Sequence, residues 1–426
     1  MNATSLAASD LNLNSLIAQL AILTSSQPQA PTEENLRALC DLLYAASLLK
    51  EEGRAVRARI VLAPPEAFPV ETGPPEGIHA VRFTLPHELN GNEIKRLSPA
   101  ASFFHSAIAV WPVRDKGLRI WGLLNTGPRW LNLVAGGRKP IGGHLPYPII
   151  HVRDPGWIFF YHGYDLIAEW RGRELHGPRL DVFQTRLLNE RFVDLRMALI
   201  RDLEGKCLPS SLSIDVYLEL SHLIGMQFLK RVINLVRSSG HGGTVVMIPE
   251  PIEGKNVAER WIDCKYTASP GESGLRFRDL LQGIIRRVGQ LCPPGASTED
   301  AWKVFRNSND ADLDELEEAF FELARFFSDL MQVDGALVLD KRICLVGFAG
   351  EIRVDHTVLQ VDVAHDLEGQ RVTPWNVRSD GTRHRSVYRL CSVEPEVIGF
   401  VISQDSQVRM IANQNGNVIF WPHTVV

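Results

Sequence analysis

The stretch SIDVYLELSHLIGMQFLKRVINLVRSSG, residues 213–240, runs without a break into GGTVVMIPE, residues 242–250. The first has apolar residues at helical spacing over its whole length, and Gly240 closes it. The second is a short apolar run that suits a strand buried on both faces. A long amphipathic helix that feeds a buried strand needs a sheet with helices packed on it. The same order recurs downstream. RWIDCKYTAS reads as a strand, GLRFRDLLQGIIRRVGQL as a helix, and DADLDELEEAFFELARFFSDLM as a helix whose acidic first turn suits the helix dipole. DGALVLD, RICLVGFA, VIGFVIS, QVRMIA and NVIFW then read as strands. Residues 212–426 are thus expected to form an α/β domain with a mixed central sheet flanked by helices.

The first half has another texture. LNSLIAQLAIL and TEENLRALCDLLYAASLLKEEG read as helices, the second starting at Thr32 and ending near Gly53. LAPPEAFPVETGPPEG is a proline-rich loop or linker. From residue 78 short strands rich in Val, Ile, Trp, Phe and Tyr follow, with GWIFFYHGYDLIAEWRG as a hairpin. With a helical stretch near 185–204, residues 1–205 are expected to be an α+β module. Its aromatic strands and basic turns, such as GPRW and EWRGRELHGPR, could line a pocket, although aromatics at alternating strand positions are more often core.

Composition narrows the classes of function. Hydrophobic residues are 45% and charged residues 22% of 426, so each part can bury a core of ordinary size. A net charge of −5 speaks against non-specific nucleic-acid binding but leaves room for a local cationic cluster. The six cysteines form no CxxC pair, which fits reduced thiols better than a disulfide frame or a zinc knuckle. MNATSLAASDLNLNSLIAQL lacks a basic leader, and no apolar run approaches the ~18–20 residues of a membrane span. A cytoplasmic protein with no membrane partner is expected.

Three segments carry possible chemistry. In MQVDGALVLD a helix gives way to an apolar strand through Asp334-Gly335-Ala336. Gly335 would let a ligand approach the backbone, and the Asp334 carboxylate could hold a divalent cation or steer a hydroxyl. An Asp-Gly pair is also the commonest of turns. In SDGTRHRSVYRL, residues 379–390, Gly381 and Thr382 precede a helical segment. A helix N-terminus, with Arg383, His384 and Arg385 beside it, suits phosphate. The alternative is a solvated basic turn. The third segment, GHGGTVVMIPE, resembles an esterase oxyanion loop only superficially, because the chain has no GxSxG elbow.

Taken in order, the glycine-rich strand start, DGALVLD, GTRHRSVYRL and the strand VIGFVIS resemble the diadenylate cyclase domain, which also heads the DNA-integrity-scanning proteins. The resemblance covers roughly residues 212–426. It implies condensation of two ATP molecules into cyclic di-AMP with release of two pyrophosphates, using Mg²⁺ or Mn²⁺. It also implies self-association, with two protomers face to face so that each 3′-hydroxyl reaches the opposite α-phosphate. On this resemblance Asp334 steers the 3′-hydroxyl and places the metal. Gly335 and Ala336 line the nucleotide. Gly381, Thr382, Arg383, His384 and Arg385 hold the triphosphate, and Ser403 is a further phosphate contact.

The chain departs from the family pattern in three places. The stretch from Ala336 to Gly381 is long, the extra piece falling in residues 350–379. There Asp355, His356, Asp362, His365 and Asp366 invite a second metal site, or are surface loop residues. Gln404 follows Ser403 where many members have Glu, and Val333 precedes Asp334 where some have His. Residues 1–205 resemble in layout the soluble sensor or regulatory module that precedes such domains. The competing readings are a non-catalytic receptor for ATP or a cyclic dinucleotide, using the same pocket, and a purely structural interaction module.

Overall fold

The computed structural model of the chain describes residues 12–70, 73, 78–101, 106–126, 147–163, 165–172, 174–177, 180–193, 197, 201, 211–249, 256–269, 273–404 and 407–423. The chain divides into two compact units, Met1–Pro178 and Arg179–Val426, and each is mixed α/β. No helix among the described residues is long and apolar enough to cross a membrane. Cys40, Cys264, Cys292, Cys344 and Cys391 are free thiols, and Cys207 lies outside the described residues.

In the first unit helix α1 spans Leu13–Thr24, α2 Glu33–Ser47 and α3 Gly91–Leu97. Thr32 caps α2 with a reciprocal capping box, as its position predicts. The helix stops at Ser47 rather than near Gly53. Glu52 and Gly53 have φ of +49° and +82°, which turns β1 (Lys50–Glu51) back onto β2 (Arg54–Ala55). Gly53 is therefore a hairpin residue and not a helix stop.

The remaining strands of this unit are β3 (Ala58–Leu62), β4 (His79–Glu88), β5 (Ser106–Val113), β6 (Gly117–Asn125), β7 (Pro148–Asp154), β8 (Trp157–His162), β9 (Asp165–Arg171) and β10 (Glu174–His176). They form one sheet in the order β10-β9-β8-β7-β3-β5-β6-β4, in which β3 and β5 are parallel. The predicted β8–β9 hairpin is present. Trp121, Trp157, Phe159 and Tyr161 are buried, which is the core reading of the aromatic strands. GPRW and part of EWRGRELHGPR lie outside the described residues.

The second unit opens with residues 180–193, which the sequence had grouped with the first half. Val182, Phe183, Leu188 and Phe192, on and around α4 (Arg186–Arg191), join the core of this unit, and Phe183 stacks on Phe400 at 5.5 Å. Helices α5 (Ile214–Ser239), α6 (Val257–Trp261), α7 (Ser273–Leu291), α8 (Thr298–Asn307), α9 (Ala311–Leu330) and α10 (Thr382–Val393) follow in chain order. Gly240 ends α5 in the left-handed conformation, φ +74°.

The sheet of this unit contains β11 (Gly243–Ile248), β12 (Ile262–Thr267), β13 (Ala336–Asp340), β14 (Leu345–Ile352), β15 (Gln360–Ala364), β16 (Val372–Asn376), β17 (Ile398–Ile402), β18 (Val408–Gln414) and β19 (Asn417–His423). Their order is β12-β14-β13-β11-β17-β18-β19-β15-β16, with β11–β13 and β15–β19 parallel. Side chains alternate across it. Val245, Met247, Leu337 and Phe400 pack with α5, α7 and α9, while Val246, Ile248, Ala336 and Val401 pack with α10. The strands β11, β13 and β17 are therefore buried on both faces, as their hydrophobic runs predicted. Residues 350–379 are not a bare surface loop, because they supply the end of β14, all of β15 and β16, and the turn into α10.

Candidate functional site

Three neighbouring strands end together. β11 lies between β13 and β17, with Thr244 opposite Ala336 on one side and Val401 on the other. Gly243 is opposite Ile402. The parallel and antiparallel pairings thus bring Gly242-Gly243, Asp334-Gly335 and Ser403-Gln404 to one end of the sheet. Asp334 and Ser403 are two strand spacings apart, about 10 Å.

Gly242 ties this end to the basic segment. It has φ +67°, and a Cβ there would lie 2.7 Å from the Ile402 carbonyl oxygen, 3.1 Å from the Gln404 amide and 3.1 Å from Arg383 Nη1. The loop before β11, the end of β17 and the Arg383 guanidinium therefore share one small volume. Gly335 has a different reason to be glycine. Its φ is +115°, and a Cβ would lie 2.6–2.8 Å from the backbone of Ala349 and Gly350. The close approach at Gly335 is made by β14.

Helix α10 begins at this end. Gly381 is its N-cap, and no side chain caps the first turn. Among the described residues a Cβ on Gly381 would meet nothing within 4 Å. Gly381 and Thr382 are exposed, Arg383 is half-buried and Arg385 is exposed. Among the described residues neither Arg383 nor Arg385 pairs with a carboxylate. Two unneutralised guanidiniums and an uncapped helix N-terminus make a site suited to an anion.

The other expected residues are placed differently. His384 turns inward and is buried against the sheet, its ring 6.4 Å from that of Tyr388. The Ser403 hydroxyl accepts from the Gln407 amide at 3.1 Å and donates to the Gln407 carbonyl at 3.2 Å, which closes the β17–β18 turn. Ala336 is buried at the start of β13, whereas Asp334 is exposed. Within residues 350–379, His365 Nε2 is 2.8 Å from Thr373 Oγ1, and Asp366 accepts from the amides of Gln370 and Arg371. Among the described residues no group of three His, Cys, Asp or Glu side chains could hold a metal.

Sequence reasoning missed a buried polar cluster directly before α10. Asp380 Oδ2 accepts from Trp375 Nε1 at 2.9 Å and from the Tyr388 hydroxyl at 3.0 Å. Its Oδ1 accepts from Arg409 Nη1 at 2.9 Å, and the same nitrogen donates to the Tyr388 oxygen. Arg409 also lies over the rings of Phe420 and Trp375, 4.3 and 5.3 Å from their centroids. Burial pushes the Tyr388 phenol well above its ordinary range, and neighbouring Asp380 adds to this against the opposing pull of Arg409.

Comparison with known proteins adds one match. Residues 25–125, within the first unit, are similar to a family described as a probable sensor domain, DACNV. No curated protein and no solved structure matches the chain.

Proposed function

We infer that the second unit is a diadenylate cyclase domain and that the first regulates it. Two lines support this reading. The matched sensor family is one that precedes diadenylate cyclase domains. The second unit brings Asp334 and Gly242 to one end of the sheet, with Arg383 of the first turn of α10 beside Gly242, and this juxtaposition carries the proposal.

The chemistry asked of the residues is positioning and charge. The α10 amides, Arg383 and Arg385 would bind the triphosphate of ATP. Asp334 would accept the hydrogen bond of a 3′-hydroxyl presented to an α-phosphate held by a second protomer. The new bond joins that 3′-oxygen to the α-phosphorus as the hydroxyl proton passes to the Asp334 carboxylate, the bond to the bridging oxygen breaks and pyrophosphate leaves. An exposed carboxylate fits Mg²⁺ or Mn²⁺, which keep waters and take most ligands from substrate phosphates. Asp334 would hold the ion, which neutralises phosphate charge when bound.

The test is incubation of the purified chain with ATP and Mg²⁺ or Mn²⁺, with products resolved by mass. Cyclic di-AMP from the wild type, lost in Asp334→Asn with ATP binding retained, is the expected result. ATP binding with no product under either metal would replace the enzyme by a nucleotide receptor, for which the neutral Gln404 is the first residue to examine.

A further inference from the structure

The first turn of α10 lacks a side-chain cap, so nothing local fixes the direction in which its amides point. The fixing is tertiary. Asp380 stands immediately before the Gly381 N-cap, and its carboxylate is shared by Trp375 of β16, Tyr388 of α10 and Arg409 of β18. Its side chain is 5% exposed and that of Arg409 is 12% exposed, so the pair lies out of a ligand's reach. A buried carboxylate that accepts from three elements has little freedom, because any displacement breaks a charge-assisted bond in a low-dielectric setting.

We propose that Asp380 is the positioning residue for the anion-binding end of α10, and that the β15–β16 hairpin acts on the site through the Trp375–Asp380 hydrogen bond. The proposal rests on the nucleotide-binding reading above. It gives residues 350–379 a role: they deliver Trp375 to the residue that aims the helix. Arg409 offsets the Asp380 charge, so the carboxylate does not oppose an incoming phosphate, and Arg383 and Arg385 remain available.

The experiment is calorimetric titration of the full chain with ATP and, separately, with tripolyphosphate. The variants are Trp375→Phe, Asp380→Asn, Arg383→Ala and the double variant Trp375→Phe/Arg383→Ala, each with a thermal midpoint. Trp375→Phe keeps the aromatic ring and the ion pair and removes one hydrogen bond, so it remains informative where Asp380→Asn leaves Arg409 buried and unpaired and the chain fails to fold. Trp375→Phe is expected to weaken both ligands by about tenfold. In the Arg383→Ala background it should cost much less, because its effect runs through the orientation of the segment bearing Arg383. A lowered midpoint with unchanged affinity, or the same fold-loss in both backgrounds, would overturn the positioning role. A wild type that binds neither ligand would overturn the nucleotide reading and this inference together, which separates the two failures.

Discussion

Asp380 and Arg409 meet at 2.9 Å inside the second unit, and Asp380 stands one residue before the N-cap of the helix that carries the basic segment. The pairing sorts the arginines of this region by function. Arg409 is neutralised and held over Phe420, whereas Arg383 and Arg385 have no carboxylate partner among the described residues. A sequence rich in arginine thus yields a site with two available cations.

Those two should not be equivalent. Arg383 is half-buried beside Gly242, and Arg385 is exposed. Arg383→Ala is expected to weaken ATP binding by about 10- to 100-fold, the worth of a charged hydrogen bond, and Arg385→Ala by less. Titration at low and moderate salt would check this, since the exposed charge is the more strongly screened.

The seat of α10 on the sheet can be tested by space alone. A Cβ on Gly399 would lie 2.3 Å from Val387 Cγ1. Gly399→Ala should destabilise the chain by about 1–3 kcal/mol through overpacking, and Val387→Ala in the same chain should recover part of the loss. Urea unfolding of the two single variants and the double variant would give the cycle.

Between α5 and α9 the buried Arg231 and Glu317 form an ion pair, with Arg231 over the Phe321 ring. Glu317→Ala leaves a buried guanidinium without its carboxylate and should cost about 3–5 kcal/mol. Replacing both residues by Met and Leu should cost far less. Chemical denaturation distinguishes the cases.

His151 gives the first unit a pH dependence. Burial holds its imidazole well below the usual histidine range, and the charges of Arg153, Arg59 and Arg57 push the same way. The unfolded chain then takes up a proton below about pH 6.5 that the folded chain does not. Stability should fall as pH drops through that value, by about 1.4 kcal/mol per pH unit relative to His151→Asn, until the folded imidazole itself titrates. Denaturant melts of both chains between pH 5 and about 7.5 would show the divergence.

Local features were legible in the sequence and tertiary ones were not. Thr32 and Gly240 mark helix ends through their own chemistry, and the runs of β11, β13 and β17 mark buried strands. Gly53 misled because glycine serves helix stops and hairpins alike, and the φ of Glu52 decides between them. The apolar positions around α4 predict a helix without saying which unit it covers, and Phe400 settles that. The sequence order does not show that Asp334, Gly335 and Ser403 come to one end of the sheet, that Ser403 bonds its own turn or that His384 faces the sheet. The Asp380 cluster was invisible because Tyr388 and Arg409 stand 8 and 29 positions away, a separation that only the folded sheet closes.

The parallel pairing of β15 with β19 has a consequence in time. The hairpin that bears Trp375 reaches the sheet only through β19, although about 50 residues separate them along the chain. During synthesis β15 and β16 leave the ribosome early and have nowhere to dock until residues 417–423 emerge. The basic segment is therefore made before its framework exists. Ribosome-bound chains lacking β19 would carry the arginines but not their geometry, so the arrangement of Arg383 and Arg385 awaits β19.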